Sequence, residues 1–126
     1  MFPGSHCGVP TIVGHYLVQS VPITNGVAVL DLANPESPKE VSRLGLAEGF
    51  VPHWTGWDPK TQRLVVTGIG DVHRLYLLKL DQTTGVVTLD TAFHDTDGKP
   101  GFDFDNRHWP HGWTGSANPH GVVFSR

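Results

Sequence analysis

Only one cysteine, Cys7, is present, so no internal disulfide can hold the fold together, and a lone thiol identifies no redox compartment. No apolar run approaches the ~20 residues that a membrane-spanning helix needs. The opening Met1-Phe-Pro-Gly-Ser-His-Cys7 lacks the basic start and apolar stretch of a secretory signal, which leaves the compartment open. Lysine and arginine number 9 against 12 acidic residues and form no cluster, which argues against a nucleic-acid partner. Alanine is scarce and there is a single methionine, so the composition is not that of a helical protein. Walker, Rossmann and G-x-S-x-G patterns are all missing.

What the chain does have is 15 glycines, 10 prolines and short bursts of valine, leucine, threonine and aromatic residues, a β composition. The bursts repeat. Tyr16-Leu-Val-Gln-Ser20 matches Leu64-Val-Val-Thr-Gly68, and Val27-Ala-Val-Leu-Asp-Leu32 matches Leu75-Tyr-Leu-Leu-Lys-Leu80, both at an offset of 48 residues. Glu40-Val-Ser-Arg-Leu44 and Val86-Val-Thr-Leu-Asp90 follow at an offset of 46. Strands are expected near 10–13, 16–21, 26–32 and 40–46, and again near 51–57, 63–68, 73–80 and 86–92. Asn25-Gly26 reads as a hairpin turn, because both residues tolerate positive φ, and Asp58-Pro-Lys-Thr-Gln62 as a second turn.

Four strands per unit with a period in the forties point to an all-β chain of two four-stranded propeller blades plus a partial strand at Gly121-Val-Val-Phe124, an incomplete β-propeller. A single β-sandwich is the alternative, but it requires no such self-similarity. The units fall at 1–47 and 48–94, with a His/Trp-rich loop and partial closing strand at 95–126. Two blades cannot close a ring. The expected partners are therefore the remaining blades of a longer chain, or further copies joined through edge strands.

Eight histidines are the densest chemical signal. His6 and His53 lie 47 residues apart, each at the start of a unit. The first strand of a blade lines the central channel, so the starts of those strands converge on one mouth. His120 repeats the Pro-His step of Pro52-His53 ahead of Gly121-Val-Val-Phe124, and His111 sits in a Pro-His-Gly step. Converging neutral imidazoles suit a transition metal, so His6, His53, His111 and His120 are the candidate ligands. His15, His73 and His94 are read as surface residues, and Asp71 and Arg74 as hairpin and surface charges. Asp97-Gly-Lys-Pro-Gly-Phe-Asp-Phe-Asp-Asn106 is read as a solvated acidic loop, since its spacing is not that of an EF-hand. Cys7 is a soft donor beside His6, with an inert thiol as the plainer reading.

Val51-Pro-His-Trp-Thr-Gly-Trp-Asp-Pro-Lys-Thr-Gln-Arg-Leu-Val-Val-Thr-Gly68 resembles the innermost strand and following hairpin of selenium-binding-protein-like seven-bladed propellers, which are related to methanethiol oxidases and YncE-type propellers. Trp109-Pro-His-Gly112 and Pro119-His-Gly-Val-Val-Phe124 resemble C-terminal ends of such proteins. The resemblance extends from Gly26 onward. It implies a C-terminal portion of a seven-bladed fold and copper-dependent oxidation of a small thiol, with His53 foremost among the histidines near the channel. Two other functions compete with it. One is a non-catalytic propeller that binds a ligand or protein through Trp54, Trp57, Trp109 and Trp113. The other is a lactonase-like hydrolase, disfavoured because the inner strands begin with histidine rather than carboxylates.

Overall fold

The structure is a computed structural model describing residues 8–105 and 107–125. The described residues are all-β, with one short 3-10 turn and no α-helix. The first sheet is a four-stranded antiparallel meander of β1 (Thr11–Val13), β2 (Tyr16–Val21), β3 (Gly26–Asp31) and β4 (Lys39–Gly45). The second repeats that order with β5 (Val51–Asp58), β6 (Arg63–Ile69), β7 (Arg74–Leu80) and β8 (Val87–Leu89). A further strand, β9 (Phe102–Asp103), pairs with the start of β7 on the edge that β8 occupies at its end. A separate two-stranded hairpin joins β10 (Arg107–His108) to β11 (Thr114–Gly115).

Alternation drives the packing. In β2 and β7, every second residue is buried, as expected when one face of a strand lies on a core. Val13, Tyr16, Val18, Val27 and Val29 of the first sheet meet Leu64, Val66, Tyr76, Leu78 and Val87 of the second, and Phe50 packs edge-on against Tyr76. The sheets meet through β1 and β2 against β5 and through β4 against β8. Hydrogen bonds close the outer seam, where the Tyr16 hydroxyl donates to Thr83 O at 3.0 Å and Ser42 Oγ donates to Gly85 O at 2.7 Å.

Three local expectations need correction. At Asn25-Gly26 only Asn25 takes positive φ (51°), closing a 3-10 turn over Pro22–Thr24. Gly26 already belongs to β3 and is needed for space, since a Cβ there would fall 1.8 Å from Leu44 O. The strand expected to 92 stops at Leu89, because the buried Asp90 carboxylate turns to Arg63 Nε at 2.8 Å and Lys79 Nζ at 3.4 Å. The partial strand expected at 121–124 forms no ladder. Side-chain donors hold the tail instead of backbone pairing, Thr67 Oγ1 at His120 O and Trp54 Nε1 at Val122 O.

Leu64 is fully buried between the sheets, whereas Ile23 is 86% exposed. Leu64→Ala should therefore cost about 2–5 kcal/mol in urea unfolding, and Ile23→Ala should leave the midpoint unchanged. Equal midpoints for the two variants would refute this core.

Candidate functional site

Strand β5 gathers the site because three segments meet on it. Along the edge opposite β6, Val9 forms a parallel bridge: its N–H donates to His53 O at 2.6 Å, and Thr55 N–H donates to Val9 O at 3.0 Å. The Thr55 hydroxyl, almost fully buried, also donates to Val9 O at 2.9 Å. Across the face turned away from the first sheet lies the tail. Thr67 Oγ1 donates to His120 O at 2.8 Å, and Trp54 Nε1 donates to Val122 O at 3.1 Å. Gly121 permits this approach, since a Cβ there would stand 3.1 Å from the Trp54 ring.

The β5–β6 register shifts between Pro52 and Trp54, which leaves His53 as the extra residue of a bulge. Strict alternation would put His53 on the side of Thr55, facing the first sheet. A bulge re-aims a side chain. Here the His53 ring meets the His120 ring on the tail side, with centroids 4.7 Å apart and planes inclined at 49°. His53 is half-buried, with its Nδ1 shielded from solvent, and His120 is exposed.

The other candidate ligands are placed differently. His111 is exposed on the turn of the β10–β11 hairpin, where Gly112 N–H donates to Trp109 O at 2.9 Å. His6 lies outside the described residues, as does Cys7. Among the described residues, no three His, Cys, Asp or Glu side chains form a metal-holding group. His15 and His94 are exposed, as expected.

The sequence misjudged His73, Arg74 and the acidic loop. His73 Nδ1 is bonded to Asp105 Oδ1 at 2.7 Å. That bond, with a second from Ser116, holds the Asp105 carboxyl below the usual carboxylate range. Arg74 is 6% exposed and donates to Asp97, to Asp103 at 3.1 Å, and to the carbonyls of Lys99 and Pro100 at 3.3 and 3.0 Å. Arg107 donates to Asp95 and lies 4.1 Å over the Phe102 ring. The Asp95 carboxyl is held low first by the Asp103 and Thr96 N–H groups, then by Arg107, and that of Asp97 first by the Lys99 N–H, then by Arg74. The loop is thus an ion-paired unit whose oxygens are engaged by its own donors. Only residues distant in sequence could reveal this, and no local spacing encodes it.

A groove of about 550 Å³ runs along the remainder of β5, between residues 9–11 on one side and 122–125 on the other. Trp54, Trp57, Asp58 and Lys60 line it with Phe124. Scans of the chain against models of known protein families, curated proteins and solved structures return no match.

The depressed carboxyls set an acid limit on the 93–117 segment. A group whose folded pKa lies below its unfolded value, near 3.9 for Asp, stabilises fully above that value and loses its effect as pH falls toward the folded one. On acidification below about pH 4, the indole NMR signals of Trp109 and Trp113 should lose dispersion before those of Trp54 and Trp57. The reverse order would refute this account.

Proposed function

We propose that the chain is a two-blade portion of a β-propeller and that His53 and His120 bind a transition metal, copper favoured, for oxidation of a small thiol. The observation that carries this is the imidazole pair, 4.7 Å between centroids, with His53 on a bulge at the start of an inner strand. Two such rings can each turn one nitrogen toward a single ion, and imidazole suits copper. The pair is an incomplete ligand set. His6 is the further donor offered by the repeat register, and His111 the one offered by its Pro-His-Gly step.

The propeller reading is supported by the order of the two meanders. β5 lies against β2 and β1, and β4 lies against β8, so the two meanders run side by side in the same order, as successive blades would. The tail lies over the face of β5 and β6 turned away from the first sheet, the face that a next blade would cover. Copper held by His53 and His120 would supply redox chemistry between a thiol and dioxygen, in line with the methanethiol oxidase resemblance. The chain's own residues would bind and orient: the bulge aims His53, and Thr67 fixes the backbone of His120. A second reading, a non-catalytic binding propeller, is favoured by the tryptophan-lined groove.

Copper titration of the whole protein, followed by imidazole NMR signals, tests the metal reading. Stoichiometric uptake should perturb His53 and His120 together. His53→Ala or His120→Ala should weaken it by about tenfold or more, and Thr67→Val by a smaller factor. Failure to take up copper, zinc or iron would sink the metal reading and leave the binding propeller.

A further inference from the structure

We infer that the groove along the free edge of β5 is a binding site for a small apolar carboxylate, an assignment that does not rest on the metal. The first argument is strand geometry. Thr55 turns both peptide groups away from β6: its N–H donates to Val9 O at 3.0 Å, and its C=O accepts from Thr11 Oγ1 at 3.2 Å. Peptide groups two residues apart along a strand point the same way. The N–H and C=O of Trp57 therefore emerge at the same edge, beyond the point where residues 9–11 depart to form β1. Neither makes a hydrogen bond among the described residues outside the β5–β6 ladder. They form a polar strip on the floor of a groove otherwise walled by Pro10, Trp54, Val122 and Phe124.

The second argument is charge. Among the described residues, two ionisable side chains line the groove, Asp58 and Lys60. The Asp58 carboxylate is already engaged: Oδ1 accepts from Lys60 N–H at 3.0 Å and Oδ2 from Thr61 Oγ1 at 2.6 Å. The Thr61 bond above all holds that carboxyl below its ordinary range. The Lys60 ammonium makes no close ion pair among the described residues, though its charge acts through space on Asp58, while Arg63 is committed to Asp90. Among the described residues, the groove thus offers one cation outside any close ion pair and one N–H turned away from the ladder, beside aromatic walls.

A carboxylate satisfies both donors, one oxygen on Trp57 N–H and the other toward Lys60. An apolar body then buries itself against the indoles and Phe124. A cationic ligand would meet Lys60 as a like charge and a neutral one would leave it unused, while the acid must seat its oxygens on Trp57 N–H and Lys60, clear of the ionised Asp58. The volume, about 550 Å³, lies within the range of small-molecule sites and exceeds that of a single ring with a short acid arm.

The test uses the whole chain with phenylacetate as probe, set against its neutral isostere phenylacetamide, by tryptophan fluorescence and calorimetry. Phenylacetate should bind, and replacing it by the amide should weaken binding by about tenfold, the loss of one charge-assisted contact. Lys60→Met should erase the preference for the acid and Lys60→Arg should retain it, while His53→Ala should leave both unchanged. Lys60 is exposed, so neither substitution there threatens the fold. Equal binding of acid and amide, an undiminished preference in Lys60→Met, or no binding of phenylacetate at millimolar concentration would each overturn the assignment. Loss of copper uptake with phenylacetate binding intact would overturn only the metal reading.

Discussion

Backbone carbonyls that leave a ladder must still find donors, and here buried threonine hydroxyls supply them on both faces of the second sheet. Thr55, 2% exposed, donates to Val9 O on the side of the first sheet, and Thr67, fully buried, donates to His120 O on the tail side. A buried carbonyl left without a partner costs about 1–3 kcal/mol, so the Thr67 hydroxyl fixes a tail that no ladder holds, and the Thr55 hydroxyl reinforces the single backbone bridge that Val9 makes with β5. Both candidate sites depend on this. Without the Thr55 contacts the approach of Val9 to β5 weakens, and the groove loses one wall. Without Thr67 the tail loses its anchor at His120.

The same accounting explains the 93–117 segment. It carries four aspartates, at 95, 97, 103 and 105, on a loop that a solvent-exposed reading would leave mobile. Instead Arg74 is drawn inward at the start of β7, and the loop folds over it through β9. Burying a guanidinium is favourable only where its donors are met, and carboxylates together with the Lys99 and Pro100 carbonyls meet them. Gly101 allows the closure: its φ is +87°, and a Cβ there would stand 2.2 Å from Leu75 O. Arg107 repeats the device on Asp95 and stacks on Phe102, joining the ion pairs to the Phe102, Phe104, Trp109 and Trp113 rings.

Much of the strand order was legible because its signal is local. The alternation in Tyr16–Val21 and in Arg74–Leu80 marks one buried face, and Asp58-Pro59 marks a turn by its own hydrogen bonds. What failed was non-local. Val122, Val123 and Phe124 form an apolar run of strand type, yet ladder pairing needs a free partner edge, and the tail meets a sheet face. Arg74 and His73 read as surface residues because their neighbours are Asp97, Asp103 and Asp105, some 23 to 32 residues away. Among the histidines, His120 and His111 share a Pro-His-Gly step, but only His120 is placed by the chain at the start of β5. His111 turns a hairpin.

The bulge at His53 is what lets one strand serve two ends. Ordinary alternation would have sent His53 toward the first sheet and left Trp54 as the only residue at that end facing the tail. With one residue inserted, His53 and Trp54 both meet the tail, one through His120 and the other through Val122 O. Beyond the bulge the alternation resumes in register with β6, so Thr55 and Trp57 keep their peptide groups at the free edge. An uninterrupted strand could aim the imidazole or keep the tryptophan on the tail, but it could not do both with Thr55 still facing Val9. The imidazole pair is therefore a consequence of that irregularity, whereas the groove follows from the register that resumes beyond it, and the one strand carries both because the bulge ends at Trp54.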